Sequence, residues 1–213
     1  MGWLLKILFF VLIMRPLVLI LFGLNVRHGE RLPRRGPAVV VANHNSHLDT
    51  MALISLFPVR QVLKLRPIAA ADYFLQNRLW AWFSLNVIGI IPVSRKARAE
   101  GEDPLAGVHE ALRNRDIVIL YPEGTRGEPE QMIDFKKGVS FVAEKNPDAP
   151  IVPIFLHGTG KALPKGSWFP VPLFLDVFVG ESMKWTGDRA SFMDQLKERI
   201  HGLGAGSYFS EWY

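Results

Sequence analysis

The stretch Ala38-Val39-Val40-Val41-Ala42-Asn43-His44-Asn45-Ser46-His47-Leu48-Asp49 decides the fold of this chain. Its β-branched apolar run predicts a buried strand over residues 39–42. The next apolar segment predicts a helix over 48–57, which ends before Pro58. The turn between strand and helix presents a histidine and an aspartate at the edge of a sheet.

His44 and Asp49 have the chemistry of a general base and its orienting partner. On a regular helix, residues five apart point about 140° apart, at about 100° per residue, so the pair meets only if His44 precedes the helix. Asp49 in the first helical turn would then accept a hydrogen bond from one ring nitrogen. The other ring nitrogen would remain free to accept a proton.

The sequence alone leaves other interpretations of the same residues open. A histidine beside a strand is often only a hydrogen-bonded polar residue, and Asn43, Ser46 or Asp49 can act as a helix N-cap. His44 and His47 can also ligate a metal ion. The absence of cysteine and of an HExxH motif makes a metal site the weaker hypothesis.

Composition excludes several classes of protein. The length of 213 residues suits one domain. Because the chain has no cysteine, it holds no disulfide framework and no thiol nucleophile. The net charge of +5 comes without a basic run interleaved with aromatics, so we expect no nucleic-acid partner. An anionic membrane surface accounts better for the charge.

The amino-terminal segment, residues 1–26, predicts membrane association. Residues 3–22 are nearly all apolar, with interruptions at Lys6, Arg15 and Pro16. We expect two helices, over 4–14 and 17–24, hinged at Arg15-Pro16 as a hairpin in the headgroup region with both cations directed outward. A single spanning helix is the alternative, penalised by the central arginine.

A basic flank follows this apolar segment and predicts its orientation. Clusters of this kind sit on the cytoplasmic side and attract anionic lipid. We therefore expect the protein to be membrane-associated on the cytoplasmic face of the inner or plasma membrane. The flank consists of Arg27, Arg31, Arg34 and Arg35.

The remainder, residues 27–213, predicts one α/β domain with a central mixed, mostly parallel sheet flanked by helices. Short apolar runs alternate with longer segments of helical period, and no linker or repeat interrupts them. Strands are predicted over residues 39–42, 67–70, 88–93, 117–121, 151–156 and 173–179, and helices over 48–57, 72–85, 105–114, 138–145 and 188–201.

A loop rich in glycine, proline and charge follows the strand predicted over 117–121. A long loop inside a compact domain is usually functional, and open α/β sheets bind ligands where strands end. Arg126 offers a bidentate fork to a phosphate group, and Lys136 precedes a predicted helix start. Arg95 follows another apolar run, Gly89 to Val93.

Four blocks of this sequence together resemble a known family. They stand in the order and rough spacing found in the glycerolipid and lysophospholipid acyltransferases, which bacterial 1-acyl-sn-glycerol-3-phosphate acyltransferases typify. The resemblance covers roughly residues 25–180. The blocks are His44-x4-Asp49, Gly89 to Arg95, Glu123-Gly124-Thr125-Arg126 and Val152-Pro153.

The resemblance implies that the protein transfers a fatty acyl group from acyl-CoA or acyl-carrier protein to the free hydroxyl of a lysolipid. The thioester donor is a substrate, and no cofactor is implied. By similarity His44 is the general base and Asp49 its orienter. Substrate binding would involve Glu123, Gly124, Thr125, Arg126, Arg95 and Lys136.

The sequence departs from the family pattern at one position. Many relatives that form phosphatidic acid carry a phosphate-binding lysine after the first helix, but residues 68–74 here are Ile-Ala-Ala-Ala-Asp-Tyr-Phe. Lys64 or Arg66 is the nearest substitute. The expected acceptor remains 1-acyl-sn-glycerol-3-phosphate, with lysophosphatidylglycerol, lysophosphatidylethanolamine and lyso-ornithine lipid as alternatives. A lipid-binding protein without turnover is the competing hypothesis.

Overall fold

A seven-stranded sheet with the strand order β1-β7-β6-β2-β5-β3-β4 forms the centre of the computed structural model. The structure describes residues 2–94, 103–127, 131–163 and 169–205. Every described strand pair is parallel except β6 with β7, which confirms the mixed, mostly parallel sheet. The strands are β1 Leu24–Arg27, β2 Ala38–Ala42, β3 Leu65–Ala70, β4 Ile91–Val93, β5 Ile117–Leu120, β6 Ile151–His157 and β7 Leu175–Val179.

Helices cover both faces of this sheet, which is why its central strands are apolar on both sides. Alternate residues of β2 enter opposite cores: Val40 packs with Leu53 and Ile54, whereas Val41 packs with Phe192. The helices are Gly2–Phe9, Arg15–Leu21, Leu48–Ser55, Val59–Val62, Ala71–Phe74, Arg78–Phe83, Ala106–Arg113, Gly138–Lys145, Thr159–Ala162 and Arg189–Ala205, with π-turns at Phe10–Met14 and Ser84–Ile88 and a 3-10 turn at Gly29–Arg31.

The predicted helical hairpin at the amino end is wrong. Residues Gly2–Leu21 form one continuous helix, and Pro16 lies inside it. The π-turn at Phe10–Met14 explains why: the Arg15 N–H bonds to the Phe10 carbonyl, five residues back, just before the proline that lacks an N–H. The chain therefore passes Pro16 without a hinge.

The amino-terminal helix packs on the domain along one stripe. Lys6, Phe10, Met14 and Val18, four residues apart, are all buried. The prediction that Lys6 points outward is wrong, because its Nζ donates to the Leu65 carbonyl at 3.0 Å. The opposite side of the helix is exposed.

A second apolar segment lies beside this helix. The sequence predicts a helix or helices over 72–85, and the chain forms two: Ala71–Phe74, then Arg78–Phe83 continued by the π-turn Ser84–Ile88. Rings of Phe9 and Phe83 meet edge to face at 5.2 Å. The partner of the amino-terminal helix is thus a segment some seventy residues away, not residues 17–24.

Strand β1 is a strand that the sequence pattern does not predict. It pairs with β7, from Leu24 against Leu175 to Arg27 against Phe178. The predicted boundary between the membrane-associating segment, residues 1–26, and the α/β domain, residues 27–213, falls inside this strand. The amino-terminal helix is consequently joined directly to the edge of the sheet.

Candidate active site

His44 and Asp49 meet as the sequence predicts. The helix begins at Leu48, so His44 lies in the turn that leaves β2 and Asp49 in the first helical turn. His44 Nδ1 lies 2.8 Å from Asp49 Oδ2. The aspartate side chain is fully buried and the histidine side chain 17% exposed, so a substrate can reach His44.

Asp49 Oδ2 is held as an acceptor by the turn itself. It accepts the backbone N–H of Asn45 at 2.7 Å and that of Ser46 at 2.8 Å. An oxygen that accepts two fixed donors requires the third, His44 Nδ1, to carry its proton. His44 Nε2 then bears the lone pair that a general base needs.

Tyr121 fixes the plane of the His44 ring. The two rings stack with centroids 4.1 Å apart and an angle of 17°. The Tyr121 hydroxyl is bonded to Thr50 Oγ1 at 2.8 Å. Burial raises the pKa of Tyr121, which keeps this hydroxyl neutral. Sequence analysis missed both residues, and only the position of Tyr121 at a strand end signals a role.

Glu123 supports the His44 turn from the neighbouring loop. Its buried carboxylate accepts the backbone N–H of His44 at 2.9 Å and that of Ile133 at 3.4 Å. The Gly127 N–H in turn bonds to the His44 carbonyl at 3.0 Å. Burial raises the pKa of Glu123, while these N–H donors oppose the rise. Glu123 therefore shapes the site by holding backbone in place.

Lys136 lies across the same loop as Glu123 and Gly124. The Lys136 N–H bonds to the Pro122 carbonyl at 2.7 Å. A Cβ added at Gly124 would come within 3.0 Å of Lys136 Cδ and Nζ, and Gly124 has a φ of +66°. Glycine is thus required here by both conformation and space. Thr125 is exposed, and Arg126 is partly buried.

The two proposed substitutes for the absent lysine are in the wrong place. Lys64 and Arg66 lie at the start of β3. The turn between β2 and Leu48 that carries His44, which we call the catalytic turn, adjoins instead the carboxyl ends of the parallel strands. Both form ion pairs with Asp116, at 3.1 and 3.0 Å. Arg95, a predicted substrate-binding residue, lies outside the described residues.

The polar groups of the turn that could stabilise an oxyanion, the Asn43 side chain and the backbone N–H groups, are engaged in other hydrogen bonds. The Asn43 side chain donates to the Leu156 carbonyl and accepts the Leu156 N–H, at 2.9 and 2.7 Å. The N–H groups of His44, Asn45 and Ser46 are bonded to Glu123 and Asp49. These groups hold the turn together and do not face a thioester oxygen.

A row of aromatic rings runs from the catalytic turn to the amino-terminal helix. Consecutive ring centroids lie 5.0 to 6.2 Å apart from His47 through to Phe83, and Phe83 meets Phe9 at 5.2 Å. The row thus connects the site to the exposed apolar surface. We call it the aromatic row: His47, Tyr73, Phe74, Trp80, Phe83 and Phe9.

His47 belongs to this row as a neutral side chain. Burial, followed by the charges of Arg126 and His44, lowers the pKa of His47 from 6.5 to about 4. Arg126 is thus one of the charged groups that act on His47. Within residues 2–94, 103–127, 131–163 and 169–205, no group of three or more metal-ligating side chains is arranged to hold an ion.

His47→Phe is expected to weaken the acid sensitivity of folding. Between pH 6.5 and about 4 the unfolded chain binds a proton at His47 and the folded chain does not, so the free energy of unfolding falls as the pH falls through this window. Phenylalanine does not bind a proton, so His47→Phe lacks this fall in the free energy of unfolding. Denaturant midpoints at pH 7 and 4.5 test this, with His201→Phe on an exposed helix position as control. An unchanged pH dependence in His47→Phe would contradict it.

Comparisons with known proteins identify the family of this chain. The family model described as Acyltransferase matches residues 23–157, well over half of the chain. A 1-acyl-sn-glycerol-3-phosphate acyltransferase of Pseudomonas aeruginosa is 31% identical over 180 residues, covering 82% of this chain and 65% of that protein. The chloroplastic LPAT1 of Arabidopsis thaliana is 35% identical over 148 residues.

The chain spans only part of these relatives, 39% of the Arabidopsis protein. The crystal structure of the 1-acyl-sn-glycerophosphate acyltransferase PlsC from Thermotoga maritima superposes on this chain with a TM-score of 0.71. The superposition covers 91% of this chain and 76% of the other, at 21% sequence identity. That likeness shows a shared fold. With the matched family model and the histidine–aspartate pair in its first block, this chain belongs to the acyltransferase family.

Proposed function

We propose that this protein is an O-acyltransferase that moves a fatty acyl group from a thioester, acyl-CoA or acyl-carrier protein, to the free hydroxyl of a lysophospholipid. The expected acceptor is 1-acyl-sn-glycerol-3-phosphate, which would give phosphatidic acid. The observation that carries the proposal is the His44–Asp49 pair at the sheet edge, beside Arg126 and Lys136. The names of the relatives support the same acceptor.

The geometry supports direct transfer. His44 Nε2 removes the proton from the acceptor hydroxyl as that oxygen attacks the thioester carbonyl, and Asp49 stabilises the imidazolium that forms. The tetrahedral intermediate then expels the thiolate, which takes the proton from His44. The products are an ester and a free thiol, so no acyl-enzyme, and no cofactor, is needed.

Arg126 supplies a positive charge for the acceptor's phosphate. It lies close enough to lower the pKa of His47, so a phosphate bound there would sit beside the catalytic turn. Lys136 lies over Gly124 in the same loop and adds a second cation. Arginine binds phosphate in a bidentate fork, and lysine as a point charge.

Arg126→Ala is expected to lower kcat/KM for a phosphate-bearing acceptor by about ten- to a hundredfold, chiefly through KM. Loss of a hydrogen bond to a charged group costs about 1.5–3 kcal/mol. An acceptor without phosphate, such as a monoacylglycerol, should be affected much less. Arg113→Ala, at an exposed position before β5, is the control. Equal losses on both acceptors would contradict the assigned role.

The exposed side of the amino-terminal helix supports membrane association. Trp3, Leu12 and Ile20 are 61%, 66% and 81% exposed. The helix is long and apolar enough to cross a bilayer by length and composition. Its buried stripe nevertheless holds it against the sheet domain, which favours a helix that lies in the lipid–water interface. The basic flank favours the cytoplasmic face.

The aromatic row supports an apolar path between this surface and His44. A fatty acyl chain needs such a path, because each methylene left in water costs about 0.8 kcal/mol. We propose that the row contacts the acyl chain of a substrate as it approaches the catalytic turn.

Mass spectrometry of a reconstituted reaction tests the proposed function. Purified protein with vesicles, an acyl thioester and a panel of lysolipids should yield the diacyl product of at least one acceptor. Alanines occupy positions 69–71, where many relatives carry a phosphate-binding lysine, so the sequence does not specify the acceptor. The panel therefore includes lysophosphatidate, lysophosphatidylglycerol, lysophosphatidylethanolamine and lyso-ornithine lipid. Vesicle binding without any acyl transfer would instead identify a lipid-binding protein.

A further inference from the structure

Four exposed apolar side chains cluster in the loop that leads into β7. Phe169 and Phe174 are 84% and 81% exposed, Val171 53% and Leu173 38%. We call these residues the loop patch. Soluble surfaces seldom present two neighbouring phenylalanines so fully, and contiguous apolar exposure usually marks an interaction site.

The backbone of this loop is suited to leaving water. Pro170 and Pro172 have no N–H group. The N–H of Val171 already bonds to the Ala162 carbonyl at 2.7 Å, and that of Leu175 to the Gly23 carbonyl at 2.8 Å. Because an unpaired backbone N–H is costly away from water, a loop with few of them enters an apolar phase at lower cost.

The loop patch continues the exposed side of the amino-terminal helix. Phe174 lies over Gly23, where an added Cβ would collide with the Phe174 ring. Gly23 follows the last helical turn, in which Leu19 and Ile20 are 51% and 81% exposed. The two apolar surfaces therefore meet at the start of β1.

Basic side chains flank the loop patch. Lys161 is exposed on the short helix whose Ala162 carbonyl binds the loop. Arg27 is exposed on β1, beside the strand that follows the loop, with its guanidinium over the Phe178 ring. Apolar residues between cations match an anionic lipid surface, which attracts each nearby cation.

The loop is also tied to the catalytic turn. Ser46 Oγ donates to the Leu163 carbonyl at 2.8 Å, and Leu163 follows directly on the helix that binds the loop. The depth of the loop in a bilayer would thus set the height of His44 above the lipid.

We propose that the loop patch inserts into the interface of an anionic bilayer as a second anchor beside the amino-terminal helix. The inference rests on the proposed function in so far as a membrane-borne acceptor makes this orientation useful. A second anchor beside the helix fixes the rotation of the domain about the helix axis, which a single helix leaves free.

Site-specific labelling tests this insertion directly. The chain has no cysteine, so a single cysteine labels uniquely. Val171→Cys with an environment-sensitive fluorophore should shift to the blue on vesicles that contain phosphatidylglycerol. Leu12→Cys on the helix is the positive control, and Asp148→Cys, exposed before β6, the negative one. A shift at Leu12 with none at Val171 would overturn the proposal, as would no shift at either.

Removal of the apolar side chains gives a second measure. Phe169→Ser/Phe174→Ser should weaken partition into these vesicles by about a hundredfold or more, because each phenylalanine contributes about tenfold or more on transfer out of water. Phe141→Ser is the matched control, because Phe141 is 42% exposed on the helix Gly138–Lys145, outside the loop patch. Thermal unfolding checks that both variants fold.

The two proposals fail separately in these experiments. Insertion at Val171 without acyl transfer to any lysolipid would leave the loop anchor standing and remove the proposed function. Acyl transfer to a lysolipid without a fluorescence shift at Val171 would remove the loop anchor and leave the proposed function standing. If both hold, the double serine variant should lose activity on vesicle-borne acceptor and retain it on acceptor dispersed in detergent.

Discussion

His44→Ala is expected to lower kcat by about 10²–10⁴-fold, the usual contribution of a general base. The fold should persist, because the His44 backbone N–H and carbonyl, which bond to Glu123 and Gly127, remain. Acyl transfer to a lysolipid at saturating thioester measures the effect. His201→Ala, an exposed histidine on the last helix, is the control.

The pH profile separates a base from a structural histidine. In the wild type, kcat/KM should fall on acidification, since an imidazolium cannot accept the hydroxyl proton. In His44→Ala the residual rate should lose this dependence. Wild-type activity in His44→Ala, or the same acid limb in both proteins, would refute the assigned role.

Asp49→Asn is expected to lower kcat by about 10²–10³-fold while leaving the turn intact. The asparagine oxygen can occupy the Oδ2 position and still accept from Asn45, Ser46 and His44. Only the charge that stabilises the imidazolium is lost. A charge pair at about 4 Å is worth about 4 kcal/mol at an intermediate effective dielectric, which corresponds to about a thousandfold in rate.

Two further variants make the Asp49 result specific. Asp148→Asn, the same change at an exposed site, should behave like the wild type. Asp49→Ala should also unfold more readily, since two buried N–H groups lose their acceptor at about 1–3 kcal/mol each. If Asp49→Asn retains full activity at wild-type stability, catalysis does not need the negative charge of Asp49 beside the imidazolium.

The catalytic pair is predictable because its geometry is local. His44 and Asp49 are five residues apart across one strand-to-helix turn, and the apolar run of β2 fixes where that turn begins. The alternation of buried strands with helices is local in the same sense, so the α/β architecture follows from periodicity.

The amino-terminal helix shows where local rules fail. Proline predicts a break at Pro16, but Phe10, Met14 and Val18 pack against the domain, and a π-turn absorbs the proline. Lys6 looks like a headgroup contact in sequence and instead bonds to the carbonyl of Leu65. Tertiary packing outweighs a local preference of a few kcal/mol.

Sequence alone specifies a buried strand, the strand end that carries His44, and the pairing of His44 with Asp49, because each depends on residues close together in the chain. The supports of that base come from far along the chain: Thr50 bonds to Tyr121 across 71 residues, and Ser46 to Leu163 across 117. Sequence spacing says nothing of such contacts, since they arise only when strand order brings distant loops to one edge. The fold therefore decides that Lys64 and Arg66 pair with Asp116 away from His44, whereas Lys136 lies over Gly124 in the loop whose Glu123 holds the His44 turn.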